Sequence, residues 1–267
     1  MSGYVALRGA RVLVTGATGG LGQAIARELA GRGARLVLTG RNTDVLDPLA
    51  ESLGAEAVAV DLADRGDVDR LLRECGDVDV LVANAALPGS GRLDSYTVEQ
   101  VDRVLDVNLR APIVMAHALA PRMAARGGGQ LVFMSSLAGK AANGGATLYC
   151  GTKFGLRGFA LSLRGDLAEQ RVGVTVVNPG FISEAGMFHE TGAKLPPGVR
   201  TKKPADVARA VARAIEENPV EIDVAPLSLK AGAAFGAVAP GLADAVARRL
   251  GSSELVEQMG AAQSSKR

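Results

Sequence analysis

Arg11-Val12-Leu13-Val14-Thr15-Gly16-Ala17-Thr18-Gly19-Gly20-Leu21-Gly22 is the stretch that decides the architecture. Its first five residues form a short apolar run of the kind a buried strand shows. Glycines follow at once, and apolar residues then recur at helical spacing at Leu21, Ile25 and Leu29. A strand, a Gly-rich turn and a helix start together make an anion site. Glycines let backbone approach a pyrophosphate, and the free N–H groups and dipole of the helix start attract its charge. The spacing is Gly-x-x-x-Gly-x-Gly (Gly16, Gly20, Gly22), not the commoner Gly-x-Gly-x-x-Gly of dinucleotide folds. A plain helix cap in a Gly-rich chain is the alternative, and the strand before and helix after argue against it.

Working outward, residues 36–39 read as a second strand, closed by Gly40-Arg41-Asn42. An acidic residue here accepts from a ribose 2′-hydroxyl, whereas an arginine accommodates a 2′-phosphate. No Asp or Glu lies between Ala34 and Thr43, so Arg41 favours NADP(H) over NAD(H). Residues 57–60 are a third strand ending in Asp61-Leu62, and 78–83 a fourth ending in Asn84-Ala85-Ala86. Residues 97–126 carry one long helical pattern, opened by a Thr97/Gln100 capping box. Asn108 interrupts its apolar stripe, and Pro112 removes a helix hydrogen bond just beyond it, freeing a carbonyl near Asn108 to bind water.

Residues 131–134 read as another buried strand, with Ser135 and Ser136 at its end, where ligands bind in open α/β sheets. Tyr149 and Lys153 stand four apart at the start of a helical pattern, hence one turn apart on one face. An ammonium held there lowers the phenol from its reference value of about 10, so Tyr149 can exchange a proton near neutral pH. Ser136 can hydrogen-bond the oxygen that Tyr149 protonates or deprotonates. The Ser136, Tyr149, Lys153 spacing, with the Thr15-Gly16 turn, resembles the short-chain dehydrogenase/reductase family.

The resemblance spans roughly residues 11–225. It implies a single doubly wound α/β domain of the Rossmann type, with about seven parallel strands and helices on both faces. It implies a cofactor site of Gly16, Thr18, Gly20, Leu21, Gly22, Arg41, Asp61, Leu62, Asn84, Ala85, Tyr149, Lys153, Pro179, Gly180 and Ile182. In that site Asp61 meets the adenine, though on the residues alone it could equally cap the next helix. The implied catalytic set is Asn108, Ser136, Tyr149 and Lys153, with Asn108 holding a water that links Lys153 to solvent. The implied activity is NADP(H)-dependent interconversion of a ketone or aldehyde and an alcohol, in a homodimer or homotetramer. Asn84-Ala85-Ala86 departs from the family's Asn-Asn-Ala-Gly turn, and Glu184 stands where the family usually has Thr.

Composition bounds the alternatives. The 267 residues are 48% apolar and 22% charged, which suits one globular domain with ample core. A net charge of +2 is too near balance for nucleic acid. Two cysteines make no disulfide framework, and no His/Cys/Asp/Glu cluster has metal-ligand spacing. The start has no charged-then-apolar leader and no apolar run reaches membrane-span length, so a cytoplasmic protein is expected. Residues 174–178 are a sixth strand, and 183–200 form a long Gly/Pro-rich loop that by resemblance covers the substrate, with His189 a surface residue. Residues 221–225 are the last strand. Phe235, Val238, Leu242, Val246 and Leu250 then recur at helical spacing, interrupted by Pro240, in a C-terminal extension over 226–250. That stripe reads as a helix packing on the domain or a partner, or as a membrane contact. Residues 251–267 are expected to be a disordered tail. Two rival classes share the scaffold. One is a non-catalytic nucleotide sensor, which has no need of a tuned phenol. The other is an epimerase or dehydratase, which carries a larger C-terminal domain than the 40-odd residues here.

Overall fold

A computed structural model describes residues 5–192, 195, 199–249, 260, 262 and 263. The chain alternates strand and helix. In order come β1 (Arg11–Thr15), α1 (Gly20–Gly31), β2 (Arg35–Gly40), α2 (Thr43–Leu53), β3 (Glu56–Ala59), α3 (Arg65–Glu74) and β4 (Val80–Ala83). Next are α4 (Val98–Leu105), α5 (Ala111–Ala125), β5 (Gly129–Met134), α6 (Thr147–Asp166) and β6 (Val172–Pro179). The series closes with α7 (Met187–Glu190), α8 (Pro204–Glu217), β7 (Glu221–Val224), α9 (Leu227–Val238) and α10 (Pro240–Arg249).

The seven strands form one parallel sheet in the order β3-β2-β1-β4-β5-β6-β7. Strand order reverses between β1 and β4, and the crevice at the carboxyl ends of those strands is where such sheets bind ligands. Alternation along the strands feeds two cores. In β1, Leu13 faces one layer while Val12 and Val14 face the other. The first layer is covered by α3, α5 and α6 through Leu71, Met115, Leu119 and Leu156. The second is covered by α1, α2 and α8 through Ile25, Leu29, Leu46 and Val211.

Two features differ from the sequence reading. The long helix expected over 97–126 is broken by a π turn, Asp106–Arg110, between α4 and α5. The Ala111 N–H reaches back five residues to the Asp106 carbonyl. Pro112 has no N–H to give the Asn108 carbonyl, and its ring needs space beside that carbonyl, so the backbone widens there. The capping box at Thr97 and Gln100 forms as the spacing predicts.

The second difference is at the C-terminal end. Pro240 splits the expected stripe into α9 and α10, because the residue before a proline is pushed out of helical conformation; Ala239 has φ −131° and ψ 64°. Phe235, Val238 and Leu242 are exposed rather than packed, Val238 at 86%. The side chains of Val246 and Leu250 lie outside the described residues. No described helix is long and apolar enough to cross a membrane.

Candidate functional site

The turn after β1 is tied to the neighbouring strand ends. The Thr15 hydroxyl accepts from the Asn84 and Ala85 N–H groups (3.0 and 3.1 Å), and the Asn84 amide donates to the Thr15 and Gly16 carbonyls (2.9 and 3.2 Å). On the other side Ala17 N–H donates to Thr39 O (2.9 Å). Gly16 takes φ +66°, and a Cβ there would sit 2.7 Å from Ala85 Cα; one on Gly22 would collide with the Gly16 carbonyl oxygen. Gly22→Ala is therefore expected to destabilise the fold by about 1–3 kcal/mol, read as a lower urea midpoint; an unchanged midpoint would show that the turn relaxes freely.

This turn walls a cavity of about 510 Å³. Of the residues picked out by sequence, Gly16, Thr18, Gly20, Leu21, Gly22, Arg41, Asp61, Leu62, Asn84 and Ala85 line it. Helix α1 starts at Gly19 with no side-chain cap, so its first N–H groups are available to an anion. Thr39, near the end of β2, lines the cavity, and its hydroxyl is buried without a hydrogen-bond partner among the described residues. A glycine cradle, an uncapped helix start and an orphaned hydroxyl fit an anionic nucleotide.

Arg41 is exposed at the mouth and makes no hydrogen bond or ion pair with a described residue. Asp61 is already engaged: Arg103 donates to Oδ2 (2.7 Å) and Ala63 N–H to Oδ1 (3.1 Å). Burial works against its charge, but these donors outweigh it and hold the carboxyl below the usual carboxylate range. Asp61 does not cap α3. Asp64 does, accepting from Asp67 N–H at 2.8 Å.

Tyr149, Lys153, Pro179, Gly180 and Ile182 stand outside the walls of this cavity, at the ends of β5 and β6 and the start of α6. The loop after β4 joins the two regions. Leu87 and Pro88 line the cavity, and Gly89 O accepts from Tyr149 N–H at 3.2 Å. The Ser136 hydroxyl donates to Pro179 O (3.3 Å) and accepts from Ala138 N–H (3.1 Å). Gly180 N–H donates to Val224 O (3.1 Å), and Ile182 bridges to Lys202.

The Lys153 ammonium is buried, donates to Met134 O at 2.8 Å, and lies 5.6 Å from the Tyr149 ring centroid. Burial brings it down to about 8. Burial also pushes the Tyr149 phenol up to about 12, only partly offset by the Ser136 hydroxyl. The expectation that Lys153 depresses the phenol is thus corrected. In this state the ammonium turns to a backbone carbonyl, and desolvation governs both groups.

Asn108 is buried and its side chain is spent on the loop after β4. Its Oδ1 accepts from Leu87 N–H (2.6 Å), and its Nδ2 donates to Leu87 O (2.9 Å) and more weakly towards Thr152 Oγ1 (3.5 Å).

Sequence reasoning did not place Thr15, Ser135 or Gln263 among the site residues. Thr15 precedes the glycines and was the one signal available. Ser135 donates to Lys153 O (3.0 Å), fixing α6 against β5. Gln263 lies in the segment expected to be a disordered tail, yet it is buried, lines the cavity and donates to Met187 O (2.9 Å).

A parallel sheet with a glycine turn at its switch point and a Ser, Tyr and Lys at the next strand ends defines a nucleotide-binding doubly wound domain. A family model described as short chain dehydrogenase matches residues 10–196. The ketoacyl reductase HetN of Nostoc sp. is 31% identical over 227 residues, covering 82% of this chain and 79% of that protein. Nodulation protein G of Rhizobium sp. (strain N33) is 36% identical over 185 residues, 67% of this chain and 76% of that protein. Among solved structures, the 3-ketoacyl-(acyl-carrier-protein) reductase from Brucella melitensis complexed with NADH superposes with a TM-score of 0.73. Its identity is 27%, over 82% of this chain and 97% of that one. The chain belongs to the short-chain dehydrogenase family of oxidoreductases.

Proposed function

We propose that the chain is an NADP(H)-dependent oxidoreductase that interconverts a ketone or aldehyde and an alcohol on an apolar substrate. The observation that carries this reading is the convergence of Ser136, just after β5, with Tyr149 and Lys153 at the start of α6, joined to the glycine-turn cavity by the Gly89 contact. Related proteins named as ketoacyl reductases, one complexed with NADH, support a keto substrate and a nicotinamide nucleotide. The 16–22 turn would hold the pyrophosphate and Arg41 the 2′-phosphate. Lys153 would hold the nicotinamide ribose, and Pro179, Gly180 and Ile182 the nicotinamide edge. A bound nicotinamide nucleotide supplies or receives the hydride.

The remaining chemistry is the protein's. Ser136 positions the substrate oxygen. Tyr149, with its phenol up at about 12, keeps its proton at neutral pH and enters reduction as the acid; in the reverse direction only its phenolate form would take the proton. Lys153 has two ammonium protons left after its bond to Met134 O, and at about 8 it is a source for reprotonating the phenol. The Asn108 carbonyl, which Pro112 cannot cap, is the group open to a water on the path to solvent. Assembly as a homodimer or homotetramer through α4, α5 and α6 is supported by the exposed Leu105 and Phe154.

Titration of the purified chain with NADPH and with NADH, followed by nucleotide fluorescence, tests the coenzyme. NADPH is expected to bind more tightly. Arg41→Ala should weaken NADPH about tenfold, the loss of a charged hydrogen bond, and leave NADH unchanged. Equal weakening of both would show that Arg41 does not read the 2′-phosphate, and binding without turnover on any carbonyl would favour a sensor.

A further inference from the structure

Two residues near the C-terminus, Gly260 and Gln263, sit at the loop after β4 and at the nucleotide cavity. Gly260 lies against the backbone of Gly91, where a Cβ would fall 2.6 Å from Gly91 Cα. The Gly91 N–H itself is bonded to Gly145 O (2.6 Å), just before α6. Three residues further on, Gln263 is 3% exposed and lines the cavity beside Gly186 and Met187. Its two amide ends differ. Nε2 donates to Met187 O (2.9 Å), pinning the first residue of α7. Oε1 is buried with no hydrogen-bond partner among the described residues.

The segment that Gln263 holds lies over the glycine turn. A Cβ on Gly20 would sit 2.5 Å from Ala185 Cβ, and one on Gly186 would sit 3.5 Å from Leu21 Cγ. Leaving an acceptor buried and unsatisfied is costly, and such an atom facing a cavity calls for a donor. Phosphates at neutral pH offer acceptors. Ribose hydroxyls and amide or amino N–H groups offer donors.

We infer that Gln263 is a residue of the nucleotide site, delivered by the C-terminal segment: Nε2 fastens the 185–190 cover, and Oε1 accepts a hydrogen bond from a hydroxyl or N–H of the bound nicotinamide nucleotide. The inference rests on the nucleotide reading above. It makes Gly260 and Gln263 a link between the loop after β4, the cover and the ligand.

The test uses the full chain and NADPH. Gln263→Leu removes both hydrogen bonds. It should raise the NADPH dissociation constant about three- to tenfold and speed amide exchange over residues 186–191 in the coenzyme-free protein. A second measurement needs no variant: saturating NADPH should slow exchange at residues 260–263 of the wild type. An affinity within twofold in Gln263→Leu, or exchange at 260–263 indifferent to NADPH, overturns the inference and leaves the nucleotide reading standing. Failure of the wild type to bind NADPH or NADH overturns both.

Discussion

Tyr149→Phe is expected to cut carbonyl reduction by about 10³-fold while changing NADPH affinity by less than about twofold, since general acid catalysis contributes about 10²–10⁴. The substitution removes one oxygen and keeps the ring, so the 5.6 Å approach of the Lys153 ammonium and the Gly89 contact to the α6 backbone survive. A phenol at about 12 is fully protonated across the neutral range, which is the form an acid must have. The pH profile of the wild type should turn on Lys153. Burial lowers its ammonium from 10.5 to about 8, so the charge is present below that point and lost above it. Reduction should fall as pH rises through about 8. Turnover retained in Tyr149→Phe, with NADPH still bound, would sink the assignment of the phenol as proton donor. Loss of NADPH binding together with turnover would instead show that the ring or α6 had moved.

Much of this site was legible in the chain because it rests on short-range pattern. Val12 to Val14 alternate between two cores, the glycines follow within the same dozen residues, and Tyr149 and Lys153 are one helical turn apart. Periodicity and spacing report such features directly. What escaped depends on packing between distant segments. The π turn needs Pro112 and Asn108 held against Leu87, 21 residues earlier in the chain. The values at Tyr149 and Lys153 are set by burial and by where the ammonium points, and a spacing of four fixes neither. Asp61 read as a possible cap, and the placement of Arg103 and the Ala63 N–H commits it elsewhere while Asp64 caps α3. Gln263 reaches Met187 across 76 residues, a contact no local signal carries.

The same limit hid a charge cluster that should dominate stability in acid. Glu221, on the edge strand β7, was read only as part of a strand. Its carboxylate accepts a two-point bond from Arg157 (2.7 and 2.9 Å) and one from the Asn178 amide (3.0 Å), with the Lys140 ammonium at 3.4 Å. Asp223, two residues on and on the same face, takes Lys140 at 2.7 Å and the same Asn178 amide at 3.0 Å. Arg157 lies one turn beyond Lys153 on α6, so the cluster clamps that helix to β6 and β7. Burial alone would push the Glu221 carboxyl up, but Arg157, Asn178 and Lys140 more than reverse it and hold the group at about 2, against 4.5 unperturbed. A depressed folded value means that the stabilisation is complete above about 4.5 and is lost as pH falls towards 2. Its size is about 3 kcal/mol by linkage. Glu221→Ala leaves Arg157 partly buried without its partner, while Lys140 keeps Asp223 at 2.7 Å, and should cost about 3 kcal/mol at pH 7. Urea titrations of both proteins from pH 7 to pH 2.5 decide the matter. The difference between them should shrink steadily below about pH 4.5. A difference that stays constant down to pH 2.5 would show that Glu221 contributes packing rather than charge, and that the clamp on α6 is held by its neighbours.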